Sequence, residues 1–202
     1  MRTKMFVAAA FALAAPAIAQ LPTLGTSDVT KVVAGNYDVE SYHTQIAWTV
    51  NHLGVSLFSG MFSQASGKLI IDPKNLATTK VSISVPVASV QTTSDKLTGE
   101  LKSADWFDAT KYPTMTFVST KVTSTSATTA DITGNLTLHG VTKPVTIEAV
   151  FTGVSSSTNK KANIGFTGSA DIKRSDFGIK AYVPLVSDEV HLSIAAAFQA
   201  AG

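Results

Sequence analysis

Residues 134–151 read GNLTLHGVTKPVTIEAVF. Leu136 and Leu138 alternate with Asn135 and Thr137, and Val145, Ile147, Ala149 and Phe151 share a second apolar face. A period of two belongs to a strand with one dry and one wet side. His139-Gly140 separates the runs, and glycine supplies the backbone freedom a tight turn needs. The stretch is read as a β-hairpin. His139 has the parity of Asn135 and Thr137, so it is read as a turn histidine at a rim, hydrogen-bonded or solvated, and not as a catalytic group.

The same period extends in both directions. Ile46, Trp48 and Val50 share one parity, as do Val81, Ile83, Val85 and Val87. So do Ala162, Ile164, Phe166, Ala170 and Ile172, and then Val190, Leu192, Ile194, Ala196 and Phe198. Turn signals at 72–75, 155–161 and 184–188 separate the runs. One segment breaks the pattern: SDKLTGELKSADWFDATKYP, residues 94–113. Leu97, Leu101 and Ala104 fall at helical spacing, Ser94 is placed to cap, and Pro113 stops a helix before a strand at 114–120. About eight strands, one short helix and no second domain predict a closed barrel or a sandwich. Periodicity does not choose between them, although closure removes exposed edges.

The chain opens MRTKMFVAAAFALAAPAIAQ. A basic start, a short apolar run and Ala17-Ile18-Ala19 read as a secretory signal peptide over 1–19. Pro16 and the shortness of the run argue against an uncleaved anchor. A loosely ordered lead-in is expected over 20–35 and the domain over 36–199, in a periplasmic protein. Without Arg2 and Lys4 the 16 basic residues become 14, equal to the 14 acidic ones. No basic stripe remains, which argues against nucleic acid as a partner. Cysteine is absent, so disulfides, thiol catalysis and thiolate metal sites are excluded.

Catalytic signatures are not found. His43, His52, His139 and His191 form neither an HExxH nor a helical pair, and no metal site is expected. There is no GxSxG, and Asp105, Asp108, Asp176 and Glu189 are scattered. Two charged groups stand out. His52 has the parity of Trp48 and Val50 and is expected to point inward, either as a satisfied core group or against a bound polar head. Arg174 continues the parity of Ile172 and is placed to seat an anionic head, or to pair with Asp176. Trp106 and Phe107 are read as a plug or a lid over one end of the core.

YDVESYHTQIAWTVNHLGVSLFSGMF, LKSADWFDATKYPTMTF, GNLTLHGVTKPVTI and RSDFGI, in this order, resemble the YceI-like family of exported bacterial lipid-binding proteins. The resemblance runs from about Gly35 to Phe198. It implies a lipocalin-like antiparallel β-barrel whose apolar tunnel holds a polyisoprenoid or other amphiphilic lipid, with no cofactor and no enzymatic step. Some members are joined to or encoded near cytochrome b-type membrane proteins. That suggests an isoprenoid quinone as ligand and leaves transient membrane contact, a membrane-bound cytochrome partner and a homodimer open. Many members carry a histidine ahead of the aromatic pair, where this chain reads Thr98-Gly99-Glu100-Leu101, so no role for that histidine carries over.

With such a ligand, parity nominates Ile46, Trp48, Val50, Val81, Ile83, Val85, Phe117, Phe166 and Ile194 as tunnel lining, Trp106 and Phe107 at its end, and His52 and Arg174 as head-group contacts. Two other readings stay open. An enzyme acting on a bound lipid would draw on His52, Arg174 and Asp176, although nothing in the sequence arranges them as nucleophile, base and orienter. An outer-membrane barrel would need outward apolar faces and aromatic girdles, whereas aromatics make up only 8% and the chain ends FQAAG.

Overall fold

The computed structural model describes residues 25–156 and 161–202; the expected signal peptide lies outside the described residues. Strands form wherever the apolar alternation falls. They are β1 (Gly35–Val39), β2 (Gln45–His52), β3 (Ser56–Phe62), β4 (Ser66–Ile71), β5 (Lys80–Pro86), β6 (Thr114–Ser124), β7 (Thr129–Leu138), β8 (Val141–Ser156), β9 (Ala162–Lys173) and β10 (Glu189–Ala200). All pair antiparallel, in the order β1-β4-β5-β6-β7-β8-β9-β10-β2-β3, and β1 returns to β10. The ring is closed. On one edge β10 pairs with β9 throughout. On the other it pairs with β2 at 191–195 and with β1 at 198–200. So β1 and β2 are two halves of one wall strand, interrupted by a helical turn at Ser41–His43. The halves β3 and β4 break opposite it, which leaves eight wall strands, as the sequence leads one to expect.

Strands β1, β3 and β4 are not evident from alternation. In β3, Phe58 and Phe62 turn inward while Leu57 and Met61 stay in solvent, so the segment is apolar on both faces. Two bulges reset parity elsewhere. Between Ser119 and Lys121 the inward set passes from Phe117 to Val122, and between Phe151 and Gly153 it passes from Phe151 to Val154.

The hairpin between β7 and β8 has φ of 53° at His139 and 76° at Gly140, the two-residue turn whose twist matches the strands. Its histidine is hydrogen-bonded: Nδ1–H donates to the Phe177 carbonyl at 3.1 Å, and the ring meets Tyr112 edge-on at 4.6 Å. The single α-helix among the described residues, α1 (Asp95–Leu101), starts at Ser94, whose Oγ accepts the Leu97 N–H at 3.4 Å. Leu101 is buried, so α1 and the following turns seat on one end of the barrel.

Inward apolar side chains gather in two clusters. One surrounds Trp48, Val85, Met115 and Phe177 at the α1 end. The other surrounds Tyr37, Leu69, Ile164 and Phe198 at the opposite end. The outer wall carries cross-strand hydroxyl pairs such as Thr49–Ser59 at 2.8 Å and Thr133–Thr146 at 3.0 Å. This dry-inside, wet-outside arrangement is the reverse of an outer-membrane barrel. Part of the expected lead-in is tied down. Thr26 exchanges two 2.9 Å backbone bonds with Val154, Asp28 caps the turn Val29–Lys31, and Val32 is buried.

Candidate functional site: an apolar cavity along the barrel

The two clusters do not fill the barrel. A cavity of about 1000 Å³ runs between them, at the upper end of the range for small-molecule pockets. Ile46, Trp48, Val50, Val81, Ile83, Val85, Trp106, Phe107, Phe117, Phe166 and Ile194 all border it. Their alternation in β2, β5, β6, β9 and β10 puts them there, since closing the sheet turns one face of every strand inward. Phe58, Phe62, Leu69 and Ile71 border it as well, from the strands that alternation did not reveal. Phe58 and Phe62 do share a parity, but Leu57 and Met61 obscured it. Tyr182 and Leu185, in the loop before β10, carried no periodic signal.

At the α1 end the cavity is roofed by Leu97, Leu101, Trp106 and Phe107. Phe107 meets Phe62 edge-on at 5.3 Å, and Trp106 stacks on Tyr182 at 6.1 Å. The opposite end is bordered by Thr30, Lys74, Thr79 and Thr128.

His52 stands at the mouth of the barrel, where it borders the cavity without being enclosed by it. Its parity is inward, but β2 ends there, so the ring is exposed at the mouth and the residue bridges to Val186. Val50, two residues or about 7 Å back along the strand, is where the wall becomes buried. His43 is exposed and pairs with Glu40, and His191 pairs with Asp171 at 2.8 Å on the outer wall.

Arg174 is 5% exposed and borders the cavity. The expected alternative of a pair with Asp176 does not form. Instead Nε, Nη1 and Nη2 donate to the carbonyls of Ser187 (2.9 Å), Ile179 (3.2 Å) and Val186 (2.8 Å). The guanidinium also lies over Trp106 at 5.5 Å. Burial lowers its pKa, opposed by the charge of Asp188. The planar fork thereby anchors the loop 179–187, which has few regular hydrogen bonds of its own. Asp188 is fixed in turn by the Ser175 N–H (2.8 Å) and Oγ–H (2.7 Å), and these bonds hold its carboxyl below the usual range.

Trp48 and Thr79 both border the cavity, and each carries a polar atom, the indole N–H and the hydroxyl, that neighbouring atoms close off and that has no hydrogen-bond partner. The Trp48 ring lies flat against Gly60, where a Cβ would stand 2.3 Å from it. Among the described residues no group of three or more His, Asp or Glu side chains comes together as a metal site.

A closed antiparallel barrel with a helical roof and a long apolar interior defines a lipocalin-like binding barrel. The model of the YceI-like domain matches residues 37–198, and the chain belongs to that family. It is 40% identical over 164 residues to a UPF0312 protein of Pseudomonas aeruginosa, covering 80% of this chain and 85% of the relative. A UPF0312 protein of Pseudomonas putida is 38% identical over 161 residues, covering 78% and 84%. Among solved structures, Campylobacter jejuni YceI superposes with a TM-score of 0.67 at 31% identity, over 75% of this chain and 90% of that one. Burkholderia cenocepacia BcnA gives 0.71 at 24% identity, over 79% and 98%. A polyisoprenoid-binding domain from Saccharophagus degradans gives 0.65 at 15% identity, over 84% and 100%, and at that identity shares the fold alone.

Proposed function

We propose that this protein is an exported, non-catalytic carrier that holds one polyisoprenoid or similar amphiphilic lipid along the barrel axis, in the periplasm. The observation that carries the reading is the apolar cavity of about 1000 Å³, bordered by aromatic and branched side chains from almost every wall strand. Each methylene moved from water into such a space contributes about 0.8 kcal/mol gross. Ordering a flexible chain offsets much of this, so selection falls mainly on length and shape. The polyisoprenoid-binding neighbour from Saccharophagus degradans supports the ligand class by likeness of fold.

The orphaned Trp48 N–H favours a lipid that carries a hydrogen-bond acceptor, such as a prenyl quinone or prenol, over a pure hydrocarbon. Arg174, under the roof, offers the edge of its guanidinium to the same head group. An enzymatic role finds less support: His52 stands in solvent, Asp176 is exposed, and Arg174 is bound to carbonyls. Titration of delipidated protein with prenols of increasing length tests the reading. Saturable binding at one lipid per chain, tightening with length and then levelling off, is expected. No saturable binding at any length would overturn it.

A further inference from the structure

The α1-end mouth is ringed by apolar side chains that stand in solvent. Leu53, Val55 and Leu57, at the tip between β2 and β3, are 55%, 81% and 73% exposed. Tyr182, Val183 and Leu185 are 63%, 38% and 57% exposed. With Leu97 of α1 they make up seven of the thirteen large apolar residues exposed among the described residues, so the exposure is concentrated at this mouth.

These side chains form one surface. The Leu53 N–H donates to the Leu185 carbonyl at 2.7 Å, and the Ser187 N–H to that of Asn51 at 2.9 Å, joining hairpin tip and loop side by side. Leu53, Tyr182 and Leu185 also border the cavity, so the collar continues into the tunnel lining. Its two loops carry no carboxylate, since neither HLGVSLF (52–58) nor KAYVPLV (180–186) contains one, and Lys180 is exposed; Asp95 and Glu100 at this end belong to α1. The other end of the cavity is bordered by exposed Thr30, Lys74 and Thr128 and, among the described residues, has no such collar.

We propose that the collar docks on a lipid bilayer, and that the prenyl lipid passes between membrane and barrel through this mouth. The proposal rests on the carrier reading above. A long prenyl chain cannot cross open water cheaply, since each exposed methylene costs about 0.8 kcal/mol. Collar residues dipping to the acyl boundary provide a continuous apolar path instead. Tyr182 suits the headgroup level, with an apolar ring and a polar tip, and Lys180 suits lipid phosphates. A second copy of the chain seated on the collar would close the mouth, whereas a bilayer supplies the ligand.

Val55 and Leu57 belong to the collar but do not border the cavity, so Val55→Asp/Leu57→Asp tests docking while sparing the tunnel. Val118→Asp, on the outer wall at 48% exposure, is the control. The assay is co-sedimentation with vesicles of phosphatidylethanolamine and phosphatidylglycerol, together with uptake of a prenyl quinone from vesicles and from detergent micelles. The double variant is expected to partition onto vesicles about tenfold less than wild type and to load more slowly from them. Its loading from micelles should match wild type, and Val118→Asp should behave as wild type throughout. Equal partition of the double variant and wild type would overturn the proposal. So would a wild-type protein that loads from micelles yet ignores vesicles, or a wild-type dimer that the double variant splits. Failure of wild type to load even from micelles would overturn the carrier reading itself.

Discussion

Trp48→Phe removes one buried, unpartnered hydrogen-bond donor from the wall of the cavity and keeps an aromatic ring against Phe58 and Gly60. The indole N–H is buried, its residue is 6% exposed, and it meets no acceptor in the protein. A ligand oxygen that reaches it therefore gains a bond without breaking a protein–protein one. The gain approaches the penalty of leaving a buried donor unmade, about 1–3 kcal/mol, or roughly 5- to 150-fold in affinity. The smaller phenyl ring also leaves space, but that loss weakens every ligand of the same length alike. The informative quantity is a ratio, the affinity for a prenyl quinone divided by that for a hydrocarbon of equal isoprene number. Isothermal titration of wild type and variant with both ligands measures it without relying on tryptophan fluorescence. The ratio is expected to fall at least about fivefold in Trp48→Phe. If both ligands weaken by the same factor, the N–H has no polar partner in the complex and the preference for an acceptor-bearing lipid is wrong.

Three further outcomes follow from the geometry. Arg174→Ala strips three carbonyls of a charged donor and frees the loop 179–187, so urea unfolding should show a loss of about 3 kcal/mol or more, and Arg174→Lys, lacking the fork, should recover little. Gly60→Ala puts a Cβ 2.3 Å from the Trp48 ring and 2.7 Å from the Gln91 carbonyl oxygen; overpacking should cost about 1–3 kcal/mol and displace the ring, lowering prenyl affinity as well as the unfolding midpoint. Asp188 has a depressed carboxyl in the folded state, so the unfolded chain binds the proton first as pH falls; its contribution is complete above the unfolded value near 3.8 and is lost below it, through the folded pKa. Asp188→Asn should therefore flatten the acid limb of a stability–pH profile while leaving its shape at neutral pH unchanged.

Much of the tunnel was legible because closing a sheet preserves parity. Once β2, β5, β9 and β10 alternate, the inward set is determined whichever strands happen to pair. Parity gives the face but not the depth. His52 lies on the correct face of β2 and still stands in solvent, because the strand ends before the wall does. Closure was not legible in the alternation, and only the family resemblance implied it. It depends on β10 meeting β1 near one end and β2 near the other, and these partners are far apart in sequence. Strand β3 was hidden because Leu57, a collar residue in the proposed scheme, and Met61 make its outer face apolar. Arg174 was recognised as unusual, but its partners are carbonyls, which no pattern of side chains announces. The orphaned N–H of Trp48 is a property of packing and becomes visible only with neighbours in place.

The carrier account stands or falls on what the barrel contains in the cell. Protein isolated gently from its own cell envelope, weighed intact by mass spectrometry and then extracted with organic solvent, answers this. The account expects one prenyl lipid per chain, bearing a carbonyl or hydroxyl oxygen. A barrel that emerges empty, and that takes up no prenyl lipid when one is offered, contradicts it.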